Sequence, residues 1–260
     1  MKRIAFLAIL MLIFICLFCV FTAYNYYAPP QQREPYEMSN SYPSDTLHIA
    51  YIGDSWAFYH QNHHCQLSQI LEDAIHQPVK VYSYGICGHT SKEIYYSLFK
   101  DSDFNDFIKR GYNYCFISVG INDTYKKMST SYYKKSIEGI IKLLLYNHIQ
   151  PIILEIPDYN ILQAYEWQTI EKKALRHLSM IINHTPMDCK EVCRNTLEEL
   201  TKENNYGDSV SVIRYKYWNN NYENDLKDIY TEDGMHLNDK GYETLDRAIA
   251  LEIIKLHKKK

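Results

Sequence analysis

Leu47-His48-Ile49-Ala50-Tyr51-Ile52-Gly53-Asp54-Ser55-Trp56 is the stretch on which the reading of this chain turns. Leu47, Ile49, Ala50, Tyr51 and Ile52 make a short apolar run, the pattern of a buried strand, and the run stops abruptly at a glycine, an acid and a serine. Gly and Ser close many strands for turn geometry alone. Ser55 becomes a candidate nucleophile only if the chain also supplies a base that can reach it.

Asp233, Gly234, Met235 and His236, near the C-terminus, supply that base. A serine hydroxyl is a weak nucleophile until an imidazole takes its proton, and a carboxylate behind the imidazole fixes its tautomer and stabilises the imidazolium. With two residues between them, Asp233 and His236 can hang from one tight loop, leaving the far ring nitrogen to face Ser55. Gly234 lets such a loop turn sharply. Glu232 is the alternative acid, and the two-residue gap to His236 favours Asp233. Asp54 is expected to be a hydrogen-bonding residue of the turn and not a second acid.

From Leu47 onward, strand-like and helix-like stretches alternate. Strands are expected at 47–53, 79–84, 113–119, 151–156 and 209–214, and helices at 62–76, 91–99, 131–148, 165–183 and 189–204, with a last helix after His236. Ile137, Ile140, Ile141, Leu144 and Leu145 have the spacing of one buried helical face, as do Leu245, Ile249, Ile253 and Ile254. Such alternation argues for an α/β fold with a parallel sheet covered on both faces. Ligands then gather at the carboxyl edge of the strands. The polar signatures obey this rule. Gly85-Ile86-Cys87-Gly88-His89-Thr90-Ser91 follows the second strand, Gly120-Ile121-Asn122-Asp123 the third, and Asp233 and His236 come after the fifth. The amides of Ser55 and Gly88 and the side chain of Asn122 are the candidate oxyanion donors.

These four blocks together resemble the SGNH hydrolases of the GDSL esterase and lipase superfamily. Gly53-Asp54-Ser55 matches the first block, Gly88 the glycine block, Gly120-Ile121-Asn122-Asp123 the third, and Asp233 with His236 the last; the likeness runs in order over 46–257. It implies a flavodoxin-like three-layer α/β/α sandwich on a five-stranded parallel sheet, no metal or other cofactor, and ester hydrolysis through an acyl-serine intermediate. Two departures, Trp56 after the serine and His89 after the glycine, are expected to line the pocket mouth and to bear on substrate choice.

The 260 residues suffice for one sizeable domain and an appendage, and a net charge of -3 offers no case for nucleic acid as partner. Ile4 to Ala23 carries no charge and follows Lys2 and Arg3. Twenty residues at about 1.5 Å each match the hydrocarbon core of a bilayer. Phe21 lies two before Ala23, a poor small-x-small cleavage site, so an uncleaved anchor with its charged end in the cytoplasm is favoured over a cleaved signal peptide and secretion. Cys16 and Cys19 lack the preceding small residue that lipid attachment requires. The expected organisation is a transmembrane segment 1–23, a linker 24–45 lifting the domain off the membrane, and a hydrolase domain 46–260, facing outward in a bacterium. The Asn122-Asp123-Thr124 acceptor pattern fits that origin, because a glycan on an oxyanion donor would block the site.

The remaining features support plainer expectations. His60, His63, His64 and Cys65 cluster without a spacing that holds a metal, and are expected at the surface or the cleft rim. Cys87 and Cys115 are expected to fill core, and Cys189 and Cys193, four apart on one helix face, favour two unpaired thiols over a local bridge or a metal half-site. The 25 tyrosines are read as compositional bias and not as a sugar-stacking surface. The expected function is removal of small acyl groups, acetyl foremost, from carbohydrate or envelope esters. The alternatives are O-acyl transfer to sugar hydroxyls, lysophospholipase or lipase action, and a binding module without turnover. The sequence does not speak to oligomeric state.

Overall fold

The computed structural model describes residues 2–39, 45–62, 66–204, 206–219 and 222–259. Five strands, β1 Leu47–Gly53, β2 Val79–Gly85, β3 Tyr114–Ser118, β4 Gln150–Leu154 and β5 Ser211–Ile213, form one sheet in the order β2-β1-β3-β4-β5. Every pairing is parallel. Every residue of β1 is buried, as a central parallel strand covered on both faces requires.

The helices are α1 Lys2–Tyr27, α2 Ser55–His60, α3 Leu67–Ile75, α4 Ser91–Lys100, α5 Ser102–Ile108, α6 Ile121–Lys126, α7 Thr130–Tyr146, α8 Ile161–Glu166, α9 Ile170–Asn183, α10 Lys190–Glu203, α11 Tyr222–Asp228 and α12 Asp239–His257. They gather in two groups, with α3 against α12 on one side and α4, α5, α7 and α10 packed together on the other. Right-handed crossovers dictate this division, because the strand order reverses after β2. The result is the three-layer α/β/α sandwich. On α7, Ile137, Ile140, Ile141 and Leu144 are fully buried, and on α12 so are Leu245, Ile249 and Ile253. Both are the faces that the apolar spacing predicts, with Leu145 and Ile254 half-buried at their margins.

Register levels the strand ends. Gly53 pairs with Gly85 on one side and with Ser118 on the other, so the segments after β1, β2 and β3 emerge along one edge. The reversal point of the sheet lies between β1 and β3, where doubly wound sheets open their ligand crevice. Close approach fixes the glycine there: a Cβ on Gly53 would lie 2.1 Å from the Ser118 carbonyl oxygen.

Several boundaries differ from expectation. The helix expected at 165–183 is two, because Thr169 caps a new start, its hydroxyl accepting from the Lys172 amide. α2 was not anticipated; Asp54 caps it by accepting from the Trp56 amide at 3.1 Å. The first helix continues through Tyr24 to Tyr27, past the predicted end of the apolar segment, and the extended stretch after it is not a free tether. The Gln31 and Arg33 amides donate to the Tyr96 and Tyr95 hydroxyls at 3.1 and 2.7 Å, the Tyr36 hydroxyl donates to the Leu98 carbonyl, and the Met38 amide to Asn147 Oδ1. Tyr and Asn side chains on α4 and beyond α7 thus supply the partners that an extended backbone lacks. Among the described residues one helix is long and apolar enough to cross a membrane, over Ile9–Tyr27.

Candidate active site

The loop between α11 and α12 is pinched at its base by an antiparallel bridge between Tyr230 and Leu237. Inside it the Thr231 amide donates to the His236 carbonyl at 2.8 Å and the Gly234 amide to the Thr231 carbonyl at 3.0 Å. Gly234 takes φ +66, a conformation that costs an L-residue about 1–2 kcal/mol. Asp233 and His236 leave this loop on the same side, three residues apart.

Their side chains form a line that ends at Ser55. His236 Nδ1 lies 2.5 Å from Asp233 Oδ2, and His236 Nε2 lies 3.0 Å from Ser55 Oγ. Asp233 Oδ1 further accepts from the Met235 amide, the His236 amide and the Thr231 hydroxyl at 2.8, 2.9 and 2.8 Å. Partial burial works against ionisation of Asp233, but these bonds outweigh it and hold the carboxyl well below its ordinary range. With Asp233 ionised, Nδ1 keeps its proton and Nε2 is the nitrogen free to accept from Ser55. Glu232 is exposed and takes no place in the line.

A cavity of about 390 Å³ opens over Ser55, lined by Gly88, Asn122, Asp233 and His236 and by Tyr59, Cys87, Tyr125, Ala164, Trp167 and Lys172 among others. Gly88 follows β2 with φ +75, and Lys126 Nζ holds its peptide by donating to the Gly88 carbonyl at 2.7 Å. Asn122 stands in the first turn of α6, and its Nδ2 donates to Asp54 Oδ2 at 3.2 Å. One Nδ2 hydrogen remains for a ligand in the cavity. The next residue, Asp123, turns the other way and accepts from the Ser91 amide and hydroxyl at 2.7 and 2.5 Å, which ties α6 to the start of α4. The acceptor pattern at Asn122 is thereby folded away: Asn122 is buried, and the Thr124 hydroxyl is shared between α6 carbonyls and Tyr159.

Asp54 sits beneath the site, fully buried. Burial pushes its carboxyl up from 3.8 to about 7, and the Trp56 amide, the nearby His236 and the Asn122 amide offset only part of that. It caps α2 and orients Asn122, which is more than the turn role expected of it.

Three expectations require correction. Trp56 does not line the pocket mouth: it is fully buried, packs edge-on against Trp218, and donates from Nε1 to the Met235 carbonyl at 3.1 Å. Because the helix begins at Ser55, a turn of about 100° per residue carries Trp56 away from the cleft into the core. His89 is half-buried and is not among the cavity's lining residues either. Cys87 belongs to the cavity and not to the core, because β2 ends at Gly85 and the turn after it faces the cleft. Burial and the neighbouring Asp54 raise its thiol, so it is no rival nucleophile to Ser55. Cys115 is buried in β3 as expected, and Cys189 and Cys193 are buried free thiols.

His60 also departs from expectation. It is buried, with Nδ1 2.6 Å from Ser83 Oγ and Nε2 2.9 Å from Asp246 Oδ1, so this second Ser-His-Asp contact joins α2, β2 and α12 where no substrate reaches. His63, His64 and Cys65 lie outside the described residues. Among the described residues no three His, Cys, Asp or Glu side chains gather as metal ligands do.

Tyr59 was missed by sequence reasoning, although once α2 is known it stands four residues after Ser55 and so on the same helix face. Its ring meets that of His236 edge-on at 5.4 Å. Tyr125, Ala164 and Lys172 come from α6, α8 and α9, and Trp167 from the C-cap of α8, and they carry no local signal.

A parallel sheet with its reversal point between β1 and β3, and a hydroxyl, imidazole and carboxylate in line at that edge, define a serine hydrolase of the α/β class. The family model for the GDSL-like lipase/acylhydrolase domain matches residues 49–249, and the chain belongs to that family. No curated protein sequence matches it. Among solved structures it is similar to a lipase/acylhydrolase from Enterococcus faecalis, with a TM-score of 0.52 and 17% identity over 80% of this chain and 96% of that one. It is also similar to an acetyl xylan esterase from Geobacillus stearothermophilus, with a TM-score of 0.51 and 16% identity over 80% of this chain and 94% of that one. At such identities the likeness is one of fold.

Proposed function

We propose that this chain is a membrane-anchored serine esterase, facing outward, that removes short acyl groups, acetyl foremost, from carbohydrate or cell-envelope esters. The observation that carries the proposal is the Asp233-His236-Ser55 line opening into a cavity that Gly88 and Asn122 also border. His236 Nε2 takes the Ser55 proton as Oγ attacks the ester carbonyl. The resulting oxyanion is met by the Ser55 and Gly88 amides and Asn122 Nδ2. His236 then gives its proton to the leaving alcohol as the carbon–oxygen bond breaks, leaving an acyl-Ser55. Water, deprotonated by the same nitrogen, releases the acid and restores the hydroxyl.

The acetyl preference draws on the acetyl xylan esterase among the similar folds. The anchor draws on α1, uncharged from Ile4 onward in sequence with Lys2 and Arg3 before it, and without a buried residue over Ile9–Tyr27. The test is acetate release from a panel of acetylated glycans and from short and long nitrophenyl esters, wild type beside Ser55→Ala. Turnover of short esters that vanishes in Ser55→Ala supports the proposal. Preference for long-chain esters moves it to lipase action, and acetyl transfer that requires an added sugar acceptor moves it to an O-acyltransferase.

A further inference from the structure

α9 is amphipathic in the wrong sense for a helix of a water-soluble domain. Of its fourteen residues only Ser179 is buried, while Ile170, Leu175, Leu178, Ile181 and Ile182 are 83, 53, 49, 70 and 44% exposed. At 100° per residue these five fall within one arc of under half the helix circumference, which Glu171 of the first turn shares, and Lys172, Lys173 and Arg176 lie outside it. Apolar faces of this extent mark an interaction surface.

What covers the face is indicated by the end of α1. The buried Lys92 ammonium donates to the Asn25 and Ala28 carbonyls at 2.7 Å each, filling the helix terminus with a cation where the macrodipole favours one. The Tyr27 hydroxyl lies 2.6 Å from Ser179 Oγ, so the last turn of α1 is fastened to α9 itself. Tyr24, Tyr26 and Tyr27 stand where the apolar segment ends, the position of an interfacial aromatic belt. Between Val20, Ala23 and Tyr24 of α1 and Ile182 of α9 lies an open crevice of about 570 Å³. The apolar surface of the spanning helix is therefore continuous with that of α9.

We infer that α9 lies in the membrane interface, with Leu178, Ile181 and Ile182 among the lipid acyl chains and its basic residues turned to the domain, Arg176 over the Tyr125 ring and Lys173 paired with Glu166. Glu171, the one acidic residue of the helix, is at the end away from α1. The inference rests on the anchor reading of α1. Its consequence is positional: Trp167, Thr169 and Lys172, at the corner where α8 meets α9, also line the cavity over Ser55, so the cleft opens at the membrane surface. Esters held at that surface then reach Ser55 directly.

The full chain is reconstituted in vesicles of phosphatidylcholine and phosphatidylglycerol, and Ile181→Trp is compared with Leu251→Trp, an equally exposed position on α12. Alkaline carbonate washing reports on the anchor, and brominated phosphatidylcholine quenches tryptophan that sits among acyl chains. Retention through the wash with quenching several-fold stronger for Ile181→Trp than for Leu251→Trp supports the inference. Retention with equal, weak quenching overturns it while leaving the anchor standing, and release by carbonate overturns the anchor and the inference with it. A second copy on this face would shield Ile181→Trp from aqueous acrylamide without bromolipid quenching, which also overturns it.

Discussion

Replacement of Asn122 by alanine separates the oxyanion role from a structural one. Asn122 Nδ2 has two hydrogens; one is donated to Asp54 Oδ2 at 3.2 Å, and the other is available to the cavity beside Ser55. Loss of one oxyanion donor costs about 3–4 kcal/mol in the barrier, a fall on the order of 10²–10³ in kcat. Because the bond strengthens as charge develops on the carbonyl oxygen, KM should change little. The same substitution also takes a donor from the buried Asp54, a loss of about 1–3 kcal/mol that protonation of Asp54 limits. Stability should therefore fall modestly while turnover nearly vanishes. The assay is steady-state hydrolysis of a short nitrophenyl ester, with calorimetric melting of the same samples. A folded Asn122→Ala variant that keeps kcat within a few-fold of wild type refutes the assignment.

Two further perturbations probe the residues behind the site. Burial holds Asp54 protonated up to about 7, whereas the unfolded chain releases that proton near 3.8, so its contribution to stability is lost as pH rises across that window. Asp54→Asn removes this titration, and its melting temperature relative to wild type should rise between about pH 4 and about pH 8, by an amount corresponding to at most about 4 kcal/mol. A pH-independent difference contradicts it; Asp123, raised to about 6, titrates in both proteins. Trp56→Phe keeps an aromatic ring in the core but loses the bond to the Met235 carbonyl, worth about 0.5–1.5 kcal/mol. Because that bond braces the loop carrying His236, kcat should drop several-fold with KM unchanged, and an unaltered kcat beside a lowered melting temperature limits Trp56 to a structural role.

The residues that the sequence made legible share one property: each lies beyond the carboxyl end of a strand, directly for Ser55, Gly88 and Asn122 and across α11 for Asp233 and His236. Ser55, Gly88, Asn122 and the Asp233-His236 pair follow apolar runs whose period names them strands, and a parallel sheet brings all such ends to one edge whatever the rest of the chain does. Side-chain direction beyond that edge was not legible. Trp56 and Cys87 exchange their expected places, core for cavity, because the answer depends on the residue at which β1 gives way to α2 and β2 to its turn, and a shift of one position reverses the face. Asp54 carried the signal of a helix cap, which would have placed α2 and with it Tyr59. The cavity wall from α6, α8 and α9 and the fastening of α1 by Lys92 arise from tertiary packing between distant segments, and local pattern holds no trace of them.

Covalent capture bears most directly on the assignment of Ser55 as nucleophile. The full-length protein is treated with a fluorophosphonate, which reacts with a serine oxygen activated by a neighbouring imidazole, and the adduct is located by peptide mass mapping beside Ser55→Ala and His236→Ala. The arrangement of Asp233, His236 and Ser55 predicts a single adduct on Ser55, absent from Ser55→Ala and strongly slowed in His236→Ala. An adduct at another residue, or ester hydrolysis that continues undiminished in Ser55→Ala, would contradict it.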